Sequence, residues 1–175
     1  MKYMRLNKHQ QRDFLAELEA MSDYLETRFA GLSAAQRRHN GADGSFSPIE
    51  HVWHLADLER QGFAERIHRL LHEICPELAD FEGARIAREG NYKQRSWSQG
   101  LETFRATRTA NLALLRGLGK EQWLRRGNQQ GIGPMAMCDM PSLMAEHDDA
   151  HRTEIDEWLR GQTQTRGQAG HNGDA

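Results

Sequence analysis

The chain reads as an all-α protein, a four-helix bundle, on three observations. β-branched residues are few while Ala, Leu, Glu and Arg are many, a composition that favours helix. Four stretches repeat apolar residues near the helical period, so each carries one apolar face that must be buried against the others. At 175 residues the chain is most simply one domain, long enough to bury a core.

The first stretch runs from about Lys8 to Arg38, with Phe14, Leu15, Leu18, Met21, Leu25, Phe29 and Leu32 on its apolar side. The second opens at Ser47-Pro48-Ile49-Glu50, where Ser47 can cap, Pro48 suits the first turn and Glu50 is placed for a capping box. It continues through Trp53, Leu55, Leu58, Phe63, Ile67 and Leu70 to about Ile74, and Pro76 stops it. Residues 76–97 read as a long connection with a short helix near Ala84–Arg88. Ser98 introduces the third helix, apolar at Leu101, Phe104, Leu112, Leu115 and Leu118, which ends around Gly117–Gly119. A helical turn at Lys120–Leu124 leads into Arg126–Pro134, a loop by its glycines. The fourth helix runs from Met140 or Pro141 to Arg160, with Gly161 as its stop. Residues 1–161 therefore form the bundle, and 162–175, polar and glycine-rich, a disordered tail carrying His171.

Lys and Arg total 23 against 25 Asp and Glu, a net charge of −2. With no basic excess to neutralise phosphates, the charge balance disfavours nucleic-acid binding as the main task. No run approaches the roughly 18 apolar residues of a membrane span, and no apolar h-region follows the N-terminus. Cys75 and Cys138 match no zinc or redox spacing and read as two reduced thiols. The expectation is a soluble, cytoplasmic protein without membrane or nucleic-acid partners.

Chemistry gathers in the histidines. His147 and His151 lie four apart in the fourth helix, hence on one face about 5–6 Å apart at Cβ. Two such imidazoles can grip one divalent metal, and a third ligand from a neighbouring helix would leave positions open for chemistry. The competing reading is a pair of surface histidines among Glu146, Asp148, Asp149, Glu154 and Asp156. On the second helix, His54 and His51 are rivals for the third place. His68 and His72 form another pair, but fourteen residues of helix, about 21 Å, separate His68 from His54. Flanked by Arg66, Arg69 and Glu73 near the helix end, they read as a solvated face. The run His147-Asp-Asp-Ala-His151 departs from the metalloprotease H-E-x-x-H at Asp148, one methylene too short to serve as its general base.

The segments Ser47-Pro-Ile-Glu-His-Val-Trp-His-Leu-Ala-Asp-Leu-Glu59, Leu101–Leu118 and Leu143-Met-Ala-Glu-His-Asp-Asp-Ala-His-Arg-Thr-Glu-Ile155 resemble, in order and spacing, the DinB-like (DinB/YfiT-like) metalloenzyme family. The resemblance covers nearly the whole chain except the tail. It implies an up-down-down-up bundle, often a homodimer, that holds zinc, nickel or another divalent metal through three histidines. The family's second-helix ligand falls on His54, directly before Leu-Ala-Asp, and its fourth-helix ligands on His147 and His151. Arg152 and Glu154 depart from the His-Leu-x-Gln-Ile that many members carry after the last ligand.

The implied activity is metal-dependent hydrolysis or thiol transfer on a small electrophilic substrate, with water or a low-molecular-weight thiol as nucleophile. Asp57, one turn beyond His54, is the candidate catalytic residue, to orient a ligand or take a proton. Its alternative is an ion pair with Arg60 or a contact with Gln61. Asp148 is a second candidate beside the metal, while Trp53, Tyr92, Arg95 and Trp97 are candidates for the pocket wall. The rival function is a non-enzymatic metal-binding stress or interaction bundle.

Overall fold

Asn7 begins the first bundle helix. Its side chain accepts from the backbone N–H groups of His9 and Gln10 at 2.9 and 3.0 Å, and Gln10 accepts from the Asn7 N–H at 2.9 Å. The computed structural model describes residues 3–41 and 44–169, the side chains of residue 84 and of 163–169 excepted. In it α1 (Lys8–Glu19) passes across Ala20 into α2 (Met21–Arg28). The helix ends at Arg28 rather than near Arg38, because Phe29 leaves helical geometry and Gly31 takes a φ of +77°. Gln36–Arg38 is a single 3₁₀ turn.

The Glu50 carboxylate accepts from the Ser47 N–H at 2.9 Å and starts α3 (Pro48–Asp57). A π turn over Leu58–Phe63 joins it to α4 (Ala64–His72), and together they make the second bundle helix. Helix α5 (Gly83–Glu89) lies in the connection, as its sequence suggests. The third bundle helix, α6 (Trp97–Arg116), is capped by Ser96 rather than Ser98: the Ser96 hydroxyl accepts from the Gln99 N–H at 3.4 Å. After the turn α7 (Lys120–Trp123) comes the fourth, α8 (Met140–Ala169). It runs straight through Gly161, the expected stop, and residues 170–175, with His171, lie outside the described residues.

The reading of Arg126–Pro134 as loop is corrected. Strands β1 (Glu77–Leu78), β2 (Arg126–Gln129) and β3 (Gly133–Ala136) form a small sheet in that order. β2 and β3 pair antiparallel, Gly127 opposite Met135, and β1 pairs parallel with β2, Leu78 opposite Gln129. Neither long strand alternates apolar with polar residues, so the pattern that betrays strands is absent. Gly127 is needed as bare backbone, since a Cβ there would meet the Pro76 carbonyl at 2.9 Å.

Contacts between helices fix their directions. Val52 lies against Gly100 and Glu59 bonds Arg108 and Asn111, so the second and third helices run parallel. Leu18 meets Arg108 and Asp23 meets Arg105, so the first opposes the third. Tyr24 meets Asp156 while Leu18 and Asp148 share Arg108, which makes first and fourth parallel. His51 faces His151 and His54 faces His147, so second and fourth are antiparallel. The order is up, down, down, up. Two consecutive parallel helices demand a long return, which residues 73–96 provide.

The apolar core falls into two clusters. One includes Leu15, Leu18, Ile67, Leu70, Leu112, Leu115, Met140 and Met144; the other Met21, Leu25, Phe29, Val52, Leu55, Phe104 and Ile155. Between them lies a buried polar knot. The Arg108 guanidinium donates to Glu59 at 2.9 Å, to both oxygens of Asp148 at 2.7 and 2.9 Å, and to the Leu18 carbonyl at 2.9 Å. Asn111 donates to Glu59 at 2.8 Å. Burial alone would raise the Glu59 carboxyl's pKa and does so on balance, although Arg108 and Asn111 pull it back. No described helix is long and apolar enough to cross a membrane.

Replacing Arg108 by Met strands two buried carboxylates. The R108M protein is expected to lose about 3–5 kcal/mol in urea unfolding. A loss below about 1 kcal/mol would show that the knot does not hold the bundle together.

Candidate metal centre

Four histidines meet between the second and fourth bundle helices. The i, i+3 spacing of His51 and His54 puts both on the face of α3 that meets α8, where the i, i+4 spacing of His147 and His151 brings its own pair. Nε2 of His54 lies 3.4 Å from Nε2 of His147. One ring nitrogen from each of His54, His147 and His151 falls within 4.8 Å of the others, so the three residues named from the sequence are brought together. Phe46, Phe63 and Phe81 wall the rings, and Gly83 lets α5 approach, because a Cβ there would meet His54 Cε1 at 2.6 Å.

His51 is not the third member of that set but the partner of its far side. Its Nδ1 lies 3.0 Å from Nδ1 of His151, with the Glu154 carboxylate 3.4 Å from the same His151 nitrogen and 3.8 Å from His51. His51, His151 and Glu154 thus form a second group with cation-binding spacing, sharing His151 with the first. The hydrogen bond to His151 holds the Glu154 carboxyl below its ordinary range. A proton on Nδ1 of His151, donated to these neighbours, leaves its Nε2 lone pair for a metal.

The donor set fits a divalent cation. Two nitrogens each about 2.0–2.1 Å from a tetrahedral metal sit some 3.3 Å apart, close to the His54–His147 separation. Without a metal the same approach is a hydrogen bond between one Nε2–H and the other Nε2, and Nδ1 of both His54 and His147 is buried without a partner. Burial, followed by the nearby His151, pushes His54 down to about 4 and His147 to about 3. Both are therefore neutral at pH 7, the form a metal requires.

Asp57 does not join the histidines through hydrogen bonds. It accepts from Tyr92 at 3.0 Å and from Arg95 and Arg60 at 3.2 Å each, so the ion pair with Arg60 is present. Asp148 turns to Arg108 rather than to the metal ligands. Trp53 donates to the Ser96 carbonyl and lies under Arg95, and Trp97 packs on Phe29 and under Arg37. His68 and His72 stack on the exposed face, as expected, outside both cation-binding groups. Cys75 and Cys138 are both free.

The sequence reading missed Glu59, Arg108 and Asn111. The available signal was a charge set inside an apolar stripe, as Phe104, Arg108, Leu112 and Leu115 show at helical spacing.

A cavity of about 190 Å³ opens onto His54 and His147 and is walled by Leu58, Phe63, Phe81 and Leu143. A larger groove of about 560 Å³ lies between α1 and α8, along Phe14, Glu17, Glu146 and Asp149. It contains none of the four histidines, and size alone does not make it the reactive site.

The DinB superfamily's sequence model matches residues 17–155. The chain belongs to the DinB superfamily. Within that superfamily its fold is similar to that of YfiT from Bacillus subtilis, with a TM-score of 0.79, 21% identity and 89% of each chain covered. YfiT is described as a probable metal-dependent hydrolase with an unusual four-helix bundle topology. No curated protein matches the sequence. In this DinB chain the Glu154 carboxylate faces a candidate ligand, His151.

The buried histidines make stability depend on pH. Burial lowers His51 to about 3, alongside His54 and His147, whereas an unfolded histidine titrates near 6.5. Below about pH 6.5 the unfolded chain binds more protons, so folding weakens as pH falls toward 4, by about 1.4 kcal/mol per pH unit for each such histidine. The metal-free protein should keep a constant melting temperature above pH 7 and lose it progressively down to pH 5. His51→Phe should flatten that fall; an unchanged profile would mean that His51 is not buried in its neutral form.

Proposed function

We propose that this DinB-superfamily chain is a metal-dependent enzyme acting on a small electrophilic molecule, with His54, His147 and His151 holding one divalent cation, zinc or nickel. The carrying observation is the convergence of nitrogens from buried His54 and His151 and half-buried His147 at the end of a cavity that His54 and His147 themselves line. When bound, such a cation lowers the pKa of a water or thiol and polarises an electrophile. The protein's own part is to keep His54 and His147 neutral, to aim the three imidazoles, and to exclude water with Phe46, Phe63 and Phe81.

Open positions favour an enzyme over a purely structural site. Three protein ligands leave a cation incomplete, whereas a structural zinc is closed by four. The adjoining cavity gives the open side somewhere to lead. Asp57 then serves as an anchor: it ties Tyr92 and Arg95 of the returning connection to the second helix next to His54. A low-molecular-weight thiol as second substrate is compatible with the cavity mouth, and homodimerisation would leave the histidine cluster within each chain.

Dialysis against zinc or nickel followed by metal analysis tests the reading. One equivalent is expected, lost in H54A, H147A and H151A with the helical circular dichroism preserved, and retained in H68A and H72A. A wild-type protein that takes up no metal ends the proposal. Loaded protein is then assayed on p-nitrophenyl acetate with and without glutathione. Thiol-independent turnover selects hydrolysis, thiol-dependent turnover selects transfer, and full metal with neither selects the non-enzymatic bundle.

A further inference from the structure

Arg66 stands in a position that folding alone does not explain. It is 7% exposed, yet its guanidinium has one hydrogen bond, to the Ala79 carbonyl at 3.3 Å, and its nearest carboxylate, Asp80, lies 4.0 Å away on a largely exposed side chain. Its Nε is buried with no acceptor. Arg108, buried more deeply still, shows what a satisfied guanidinium looks like here, with two carboxylates and a carbonyl. A buried cation left this open weakens folding, and proteins retain such groups where a ligand completes them.

The place of Arg66 says which ligand. It lines the cavity that His54 and His147 line, together with Gln129, whose buried Oε1 has no donor. Leu58, Phe63, Phe81 and Leu143 make the inner wall apolar, while Ile132, 62% exposed at the β2–β3 turn, and the largely exposed Asp80 also line the cavity. The cavity therefore has a candidate metal at one wall, apolar sides, and a guanidinium short of acceptors. Guanidinium N–H groups match the planar geometry of a carboxylate. We propose that Arg66 binds a carboxylate of the substrate, so that the cavity selects small acids with an apolar body. Gln129 adds an acceptor for an N–H or O–H on the same molecule. The proposal deepens the metal-enzyme reading by naming the substrate class, and rests on it only for the identity of the reacting wall.

Calorimetric titration of benzoate and benzamide into metal-free and zinc-loaded protein provides the test, with R66M and R66Q beside wild type. The expected result is benzoate binding in metal-free wild type that weakens at least tenfold in both variants, with benzamide binding weak and indifferent to the change. Both variants should fold and melt close to wild type, since the contacts they remove are one long hydrogen bond to Ala79 and a 4.0 Å pairing with the exposed Asp80, and their zinc stoichiometry should be unchanged. Benzoate affinity equal in wild type and variants, absence of benzoate binding, binding that needs zinc but not Arg66, or failure of both variants to fold each overturns it. Zinc content of the same samples separates the two ideas. Missing zinc with Arg66-dependent benzoate binding removes the metal reading and leaves acid recognition standing.

Discussion

One guanidinium joins all four bundle helices. Arg108 on the third takes Leu18 of the first, Glu59 of the second and Asp148 of the fourth, and three of its four hydrogen bonds go to carboxylate oxygens. Apolar faces alone tolerate sliding and rotation between helices, whereas a buried fork that must meet two carboxylates allows one register. Asp148 is the residue after His147, so the same bonds that seat the fourth helix also set the direction in which its histidines point. The site inherits its geometry from the knot, and neither can be rearranged without the other.

The π turn is the second constraint. Twelve residues of ideal α-helix would leave His54 and Arg66 about 120° apart around the axis. The wide turn at Leu58–Phe63 absorbs the equivalent of one extra residue, about 100°, and returns the two to nearly the same face. That is how one continuous helix supplies both a metal-facing histidine and the cationic wall of the cavity. Glu59, near the start of the same turn, bonds to Arg108. A regular helix would have to choose between the knot and the cavity.

Much of this was legible beforehand, for identifiable reasons. Helical period, the Ser47–Glu50 start and the i, i+4 histidines are local signals, and local signals survive without coordinates. His54 over His51 was settled by resemblance to a family, not by spacing, since both lie on one face and the structure uses both. Three things were hidden. The sheet lacks alternation because Gly127 and Gly133 serve backbone approach and turning rather than side-chain packing. The π turn carries no residue signature. Asp57 and Asp148 were placed near the metal by adjacency in sequence, but arginines arriving from the third helix and the long connection capture them. Long-range electrostatic choice of partner cannot be read from spacing.

Charge balance ties these features together. Three neutral imidazoles leave a divalent cation's charge to be answered by its surroundings, and burial magnifies whatever stands nearby. Arg66 and Arg108 both work against positive charge at His147, after burial and the neighbouring histidines. Two carboxylates at Arg108 offset that guanidinium, and Glu154 adds a negative group beyond His151. Arg66 has no comparable counterweight. A carboxylate brought in by a ligand would add to Asp80 in offsetting the Arg66 charge and strengthen the hold on a metal at the same time. Acid recognition and metal retention in this cavity would then reinforce one another, as linkage requires of two ligands that each relieve the same field.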